Sequence, residues 1–198
     1  QNHYNYMGYG YREITFKQNI EINGWFQSWK YFKDAEDEVK NIFSIPSSIR
    51  EYLNSKYSDI LNKKTVGVHV RRGIQAADEY ALRQYPQPGP DYISEAVNLF
   101  DLSHTFVLFS DGHTWCKENL RDDVKFIHIE NETEVVDLYL MSLMNHNIIY
   151  NSTFSWWGAW LNDNPEKKIV TPDVWYGPSN PWPNSPDEDL IPNNWIRL

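Results

Sequence analysis

Short apolar runs alternate with longer amphipathic stretches from residue 65 to residue 171. The runs are rich in Val, Ile and Phe, and each has the length of a strand buried on both faces of a sheet. They lie at residues 66–70, 105–109, 124–129, 147–150 and 168–171. Helices are predicted between them, near residues 91–101, 113–121, 132–145 and 153–162. Strands that alternate with helices pair in parallel through right-handed crossovers, so the pattern predicts a doubly wound α/β sheet.

The segments on either side of this pattern are less regular. Residues 34–61 carry apolar side chains at helical spacing, and Pro46 should divide them into two helices because proline cannot continue the hydrogen-bond ladder. Residues 74–90 are predicted to be a long loop, and the Pro- and Trp-rich tail from residue 172 an irregular segment packed onto the body. Residues 24–32 are dense in aromatics, which fits either an acceptor-sugar surface or packing between domains.

Composition and charge limit the kinds of partner. Hydrophobic residues make up 41% of the 198 residues, which is enough for a sizeable core. The net charge of −9 argues against nucleic acid or an anionic membrane surface as the main partner, so a phosphate ligand would need local cations. The single cysteine, Cys116, excludes an internal disulfide and fits a reducing compartment. No apolar stretch approaches membrane-spanning length, and no signal-peptide pattern opens the chain.

The first predicted strand ends at two adjacent arginines and a glycine, Arg71, Arg72 and Gly73. A guanidinium presents a planar fork of donors that matches phosphate oxygens, and a glycine allows the backbone to turn close to a ligand. The alternative is a solvated arginine pair that only closes a strand, and an isolated Arg-Arg-Gly sequence favours that alternative. Later segments shift the balance towards an anion site.

Polar residues also follow the second and fourth predicted strands. Asp111 follows the second, and the sequence Asn-Ser-Thr-Phe-Ser at 151–155 follows the fourth and opens a helix. In doubly wound sheets ligands lie beyond the carboxyl ends of the strands, where helix N-termini point. The hydroxyls of 151–155 either cap the helix alone or help its N–H groups to hold phosphate oxygens. We therefore predict that the arginine pair and residues 151–155 meet at one diphosphate, although neither G-x-G-x-x-G nor a Walker lysine loop is present.

Two further residues are candidates for ligand contacts. Asp137 begins an apolar stretch, and it either accepts from the N–H groups of a purine or is an early-helix acid favoured by the dipole. His69 lies inside the first strand, where a core histidine is usual, but it is two residues from Arg71 and so on the same face. The six histidines and one cysteine form no cluster with ligand spacing, so no metal is expected.

Five segments together resemble the α-1,2-fucosyltransferase family. They are Trp-Phe-Gln-Ser-Trp-Lys-Tyr-Phe at 25–32, His-Val-Arg-Arg-Gly at 69–73, Phe-Ser-Asp-Gly at 109–112 with Trp-Cys-Lys-Glu-Asn at 115–119, Asp-Leu-Tyr-Leu-Met at 137–141, and Asn-Ser-Thr-Phe-Ser-Trp-Trp-Gly-Ala-Trp-Leu at 151–161. The resemblance spans about residues 20–175. It implies a metal-independent, inverting enzyme of the GT-B type that uses GDP-fucose, with two Rossmann-like domains.

The resemblance also implies a domain division and site roles. Residues 63–198 would be the Rossmann-like, GDP-sugar-binding domain, and residues 1–62 the end of the acceptor-side domain. Arg71 and Arg72 would neutralise the β-phosphate of GDP, where charge builds as the fucosyl bond breaks. The remaining donor-binding residues would be His69 and Asp137 at guanine or ribose, Ser152, Thr153 and Ser155 at the pyrophosphate, and Asp111, Asn151 and Phe154 beside them.

Two departures from the family pattern bear on catalysis. Ile74 stands where the family usually has Asp. If that Asp orders the arginines or deprotonates the acceptor, either the activity is weak or Asp78 or Glu79 substitutes for it. The family's glycine-rich N-terminal segment is missing and the chain starts at Gln1, which indicates a partial chain whose missing N-terminal portion packs on residues 1–62.

The implied reaction is transfer of L-fucose, with inversion, from GDP-fucose to the 2-hydroxyl of a galactose-terminated glycan. The alternatives are a non-catalytic GDP-sugar-binding protein and a fucosyltransferase of another linkage. The expected location is cytoplasmic or peripheral to the membrane in a bacterium, and the Golgi lumen in a eukaryote.

Overall fold

The computed structural model describes residues 2–15, 17–73, 78–179 and 189–198. Its strands are β1 (Asn2–Tyr6), β2 (Ile20–Gly24), β3 (Thr65–Val70), β4 (Thr105–Ser110), β5 (Phe126–Ile129), β6 (His146–Ile148), β7 (Ile169–Thr171) and β8 (Ile196–Arg197). Its helices are α1 (Glu36–Ile42), α2 (Ser47–Lys56), α3 (Ser58–Leu61), α4 (Glu79–Gln84), α5 (Pro90–Val97), α6 (His113–Asn119), α7 (Glu134–Ser142) and α8 (Thr153–Trp160). None of these helices is both long and apolar enough to cross a membrane.

Six strands form one parallel sheet in the order β5-β4-β3-β6-β7-β8. Within this sheet β3 is first in sequence, so the order is 3-2-1-4-5-6, the doubly wound arrangement of Rossmann folds. The prediction of a Rossmann-like parallel sheet is confirmed. Strand order reverses between β3 and β6, and ligands of such sheets bind beyond the carboxyl ends at this switch point.

Helices cover both faces of the sheet because its central strands are apolar on both sides. Val66, Val68 and Val70 of β3 are fully buried with α5 on one face. Val107 and Phe109 of β4 point the other way and pack with α7 and with α2 and α3. Residues at alternate positions of a strand therefore enter different cores, and the same alternation decides where the side chains after β3 point.

Four features differ from the sequence prediction. Residues 34–61 form three helices, α1, α2 and α3, where two were predicted. The predicted loop at 74–90 contains α4, which Asp78 begins by accepting a hydrogen bond from the N–H of Tyr80 at 2.9 Å. The predicted irregular tail supplies the edge strand β8, which pairs with β7. The two N-terminal strands β1 and β2 form a separate parallel pair. In each case the additional element is too short for residue periodicity to indicate it.

The described part of the tail is packed onto the body, as predicted. Its buried residues Trp175, Leu190 and Trp195 join the apolar cluster of α8. Asp189 links this tail to the N-terminal segment, since its carboxylate pairs with Lys30 and accepts from the N–H of Tyr11 at 2.8 Å. Asp189 therefore holds the N-terminal segment against the C-terminal tail, which is itself packed onto α8. The proposed domain division at residues 62 and 63 stays a prediction.

Candidate functional site

Residues after β3 and after β6 line one pocket at the switch point. Arg71 follows β3, and residues 151–154 follow β6 and open α8. The cavity has a volume of about 330 Å³, and its other lining residues are Gln27, Tyr85, Trp175 and Tyr176. We call it the Arg71 pocket. Arg71 and residues 151–154 therefore lie together, because β3 and β6 are neighbours in the sheet. That they share one diphosphate stays a prediction.

Asp111 holds the turn that carries Arg71. One carboxylate oxygen of Asp111 accepts from the N–H of Arg72 at 2.6 Å, and the other accepts from the N–H of Gly73 at 2.9 Å. The second oxygen also lies 2.8 Å from Nη1 of Arg71. A Cβ atom on Gly73 would lie 2.5 Å from that oxygen, so only glycine allows this approach. Asp111 is thus a carboxylate from the adjacent strand that orders the arginine turn.

The two arginines point in opposite directions. The guanidinium of Arg72 lies over the ring of Trp115, 3.9 Å from its centroid, and Arg72 is not part of the lining of the Arg71 pocket. Adjacent residues at the end of a strand alternate between the faces of the sheet, and Trp115 belongs to α6 on the face opposite to α8. A guanidinium stacked on an indole is held in place by a cation–π contact. In this structure the predicted pair supplies one guanidinium to the pocket.

The segment at 151–155 contains both pocket and core residues. Ser152, Thr153 and Phe154 line the pocket, and the hydroxyl of Ser152 does not cap the described helix α8. Asn151 also lines it; its Nδ2 donates to the carbonyls of Pro86 and Trp175, and its Oδ1 is buried without a partner among the described residues. Ser155 is fully buried, and its hydroxyl reaches the carbonyls of Tyr150 and Ser152 at 3.3 and 3.2 Å.

His69 is a buried, neutral group behind the pocket. Burial is the main cause that lowers its pKa to about 4, with Arg71 adding to the effect and Asp111 opposing it. Its ring lies 5.5 Å from that of Phe154, which lines the Arg71 pocket. Its Nδ1 is buried and has no hydrogen-bond partner among the described residues. A neutral imidazole can hydrogen-bond to a ligand but carries no charge, so His69 adds no positive charge at neutral pH.

Asp137 lies in the first turn of α7 and is partly buried. Its Oδ1 is buried and has no partner in the described part of the chain. Burial, with smaller contributions from the negative charges of Glu132 and Glu134, raises its pKa to about 6. Asp137 is outside the lining of the Arg71 pocket. An acid without a cationic partner is a poor stabilising residue, which favours the ligand-contact interpretation over the early-helix one.

We expect the Asp137→Asn variant to be more stable than the wild type above pH 6. A raised pKa means that the folded state binds the proton more tightly than the unfolded state does, so the free energy of unfolding falls as pH rises from about 4 through about 6. Asparagine cannot ionise and should remove this decline. Urea denaturation from pH 4 to pH 8 measures it. Asp37→Asn, at an exposed acid in the first turn of α1, is the control. A decline of equal size in Asp137→Asn and wild type would contradict the prediction.

The candidate base Asp78 caps α4 through its bond to Tyr80 and does not line the Arg71 pocket. Ile74 lies outside the described residues. A catalytic role for Asp78 or Glu79 stays a prediction.

A second pocket shares Gln27 and Thr153 with the first. Its volume is about 300 Å³, and its other lining residues are Trp25, Phe26, Phe32, Trp156, Trp157 and Leu190. We call it the aromatic pocket. The rings of Phe32 and Trp157 stack at 5.5 Å, which fixes part of its wall. The segment 24–32, for which the sequence left two interpretations open, thus supplies one side of a cavity next to Arg71.

Several lining residues were not identified from the sequence. Tyr85, Trp175 and Tyr176 come from the predicted loop and tail, where no periodicity or motif marks them. Gln27 lies inside the aromatic segment, and its Oε1 accepts from the hydroxyl of Tyr176 at 2.8 Å. The only sequence signal for Gln27 is that it is a polar residue in an aromatic run. That signal does not indicate which pocket Gln27 lines.

Comparisons with known proteins identify relatives along almost the whole chain. The family model described as glycosyl transferase family 11 matches residues 3–197. The alpha-1,2-colitosyltransferase of Escherichia coli is 33% identical over 93% of this chain and 64% of its own length. The O-antigen biosynthesis glycosyltransferase WbnK of Escherichia coli is 27% identical over 90% and 63%. Human galactoside alpha-(1,2)-fucosyltransferase 1 is 30% identical over 72% and 43%. The chain thus spans less than two thirds of the length of these relatives.

Among solved structures, the beta Kdo 2,7 transferase KpsC of Thermosulfurimonas dismutans is similar with a TM-score of 0.39 and 10% identity, over 93% of this chain and 68% of that one.

Proposed function

The chain belongs to glycosyl transferase family 11, and from that premise we propose that it binds GDP-fucose and transfers L-fucose, with inversion, to the 2-hydroxyl of a terminal galactoside. The observation that carries the proposal is the Arg71 pocket at the switch point of a Rossmann-like sheet. The pocket combines a guanidinium with the start of a helix, and both favour a diphosphate. Two of the relatives named above are an alpha-1,2-colitosyltransferase and a galactoside alpha-(1,2)-fucosyltransferase.

Arg71 is the residue that we assign to the leaving group. When the bond between the sugar and the β-phosphate breaks, negative charge develops on the departing diphosphate, and a guanidinium fixed beside it stabilises the transition state. Asp111 fixes the backbone of the turn through two N–H groups, so Arg71 needs little reorganisation. Asp111 engages only Nη1 of the Arg71 guanidinium. The other nitrogens of that guanidinium can donate to the ligand.

Asp137 and His69 are proposed to contact the nucleoside. Asp137 has a buried oxygen that no other described residue contacts by a hydrogen bond, which suits the adjacent N–H donors of guanine. His69 is neutral and can hydrogen-bond to a ribose or base without adding charge. No metal is assigned to the reaction, and the acceptor hydroxyl would attack the anomeric carbon from the face opposite to GDP with help from a base.

The aromatic pocket is proposed to hold the fucosyl group. A sugar on the β-phosphate would extend from Arg71 past Gln27 and Thr153, the two residues that both pockets share. Aromatic rings suit the apolar face of a pyranose, and a methyl group at C6 loses less hydration there than a hydroxymethyl group does. The pocket therefore favours a deoxyhexose.

Binding and turnover together test the function. Isothermal titration of the chain should detect GDP and GDP-fucose, and incubation of GDP-fucose with lactose should release GDP and form a fucosylated product. Binding without product would support the alternative of a non-catalytic GDP-sugar-binding protein. Absence of GDP binding would reject the proposal.

We expect Trp25→Ala to weaken GDP-fucose binding about two- to tenfold and to leave GDP binding unchanged, because only the sugar reaches the aromatic pocket. Trp25 is 49% exposed, so its removal should not disrupt the core. Titration with GDP, GDP-fucose and GDP-mannose separates the contribution of the nucleotide to affinity from that of the sugar. In Trp25→Ala the preference for GDP-fucose over GDP-mannose should shrink. Leu102→Ala, at an exposed apolar residue just before β4, is the control. If both sugar nucleotides kept their affinities in Trp25→Ala, the sugar would have to lie elsewhere.

A further inference from the structure

Two histidines and a glutamate that are distant in sequence lie together beside the edge strand β5. His128 lies in β5, Glu130 follows it two residues later and so on the same face, and His113 is the first residue of α6. Their ligand atoms all lie within 4.8 Å of one another. The spacing of 15 and two residues does not follow any metal-ligand motif, so the sequence predicted no cluster here.

The distances suit a tetrahedral ion. Nδ1 of His113 and Nδ1 of His128 are joined by a hydrogen bond of 3.0 Å, which a bound ion would replace, and Nδ1 of His113 lies 4.0 Å from Oε1 of Glu130. Ligands about 2.0–2.2 Å from a tetrahedral metal lie roughly 3.3–3.6 Å from each other, so shifts of about 1 Å would bring all three into position. Three protein ligands leave a fourth position for water.

The cluster is open to solvent. The side chains of His113 and Glu130 are 19% and 40% exposed, so an ion can enter from solvent.

We propose that His113, His128 and Glu130 bind a divalent transition-metal ion of the Zn²⁺ class, at a site separate from the Arg71 pocket. Two imidazole nitrogens with one carboxylate oxygen are a borderline-soft donor set, which Mg²⁺ and Ca²⁺ do not prefer. The site lies on the α6 side of the sheet and needs no nucleotide, so it does not depend on the proposed transferase function.

Lys117 competes with the metal for Glu130. Its Nζ lies 2.7 Å from Oε1 of Glu130, and a bound ion would have to displace it or use the other carboxylate oxygen. The Lys117 side chain is 55% exposed and can move into solvent. Removing this cation should therefore strengthen metal binding, whereas it would not strengthen adventitious binding to a surface histidine.

A second pair of histidines provides an internal control. The rings of His104 and His146 lie 5.5 Å apart, close to the 5.2 Å of the proposed site. Their Nδ1 atoms are engaged by the backbone, that of His104 at the carbonyl of Asp101 and that of His146 at the N–H of Lys168. His104 and His146 are therefore as close together as the proposed ligands, but they are not expected to bind a metal ion.

Isothermal titration of the wild-type chain with ZnCl₂, and in parallel with MgCl₂, tests the proposal. We expect one Zn²⁺ per chain and no Mg²⁺, at least about tenfold weaker binding in His113→Ala and His128→Ala, and several-fold tighter binding in Lys117→Met. Glu130→Gln keeps the side-chain shape and should also weaken binding, which preserves the test if a histidine variant fails to fold. His104→Ala should bind as the wild type does. Unchanged affinity in His113→Ala or Glu130→Gln, no gain in Lys117→Met, or an equal loss in His104→Ala would overturn the site.

Discussion

Replacing Arg71 by alanine is expected to weaken GDP binding about 10- to 100-fold and to lower kcat about 100- to 1,000-fold. A charge-assisted hydrogen bond is worth roughly 1.5–3 kcal/mol, and each 1.4 kcal/mol is a factor of about ten. The larger expected effect on kcat arises because charge on the leaving diphosphate is greatest in the transition state. In the alanine variant the carboxylate of Asp111 also faces the phosphate without its partner, which adds repulsion.

The fold of Arg71→Ala should be nearly unchanged, because Asp111 still accepts from the N–H groups of Arg72 and Gly73. Titration with GDP, turnover with GDP-fucose and thermal unfolding of the same preparation measure the three quantities. Arg71→Lys should recover part of the affinity but not the planar fork of donors. Arg121→Ala is a matched control, since Arg121 pairs with Asp123 at 2.6 Å in a comparable ion pair away from the pocket. If Arg71→Ala bound GDP as tightly as Arg121→Ala, the Arg71 pocket would not be the diphosphate site.

Replacing Asp111 by alanine is expected to reduce both stability and nucleotide binding. The variant loses two hydrogen bonds from backbone N–H groups to an ionised acceptor, together with the pair to Arg71. The Asp111 side chain is 30% exposed, so water replaces part of these bonds, and a loss of about 2 kcal/mol is reasonable after that discount. For a domain of this size the melting temperature should fall by about 5 °C. GDP binding should weaken because the turn no longer positions Arg71.

Comparison of the variants distinguishes the positioning role of Asp111 from a direct contact between Asp111 and the ligand. Arg71→Ala should lower affinity without lowering stability, whereas Asp111→Ala should lower both. The double variant should bind GDP no more weakly than Arg71→Ala does, since Asp111 is expected to act through Arg71. Asp123→Ala removes the carboxylate of the control ion pair and should leave GDP binding unchanged. Full nucleotide affinity in Asp111→Ala would show that the turn does not need this carboxylate.

The doubly wound sheet followed from local properties of the chain. Runs such as Phe106–Phe109 are apolar at every position, which only a strand covered on both faces accommodates, and the amphipathic stretches between them have helical lengths. The short elements could not be predicted in the same way. Strand β8 has two residues, and its position depends on pairing with β7 rather than on its own sequence.

The sequence by itself predicted the kind of site, because strand ends with guanidiniums, hydroxyls and helix starts are local features with known preferences for phosphate. The tertiary structure decided which of these groups meet. It placed Arg71 in the pocket and Arg72 on Trp115, and it supplied the ordering carboxylate from Asp111, about 40 positions away. It also brought His113 and His128 together. Such contacts depend on the order of strands in the sheet and on the face to which each side chain points, and no short stretch of sequence contains either.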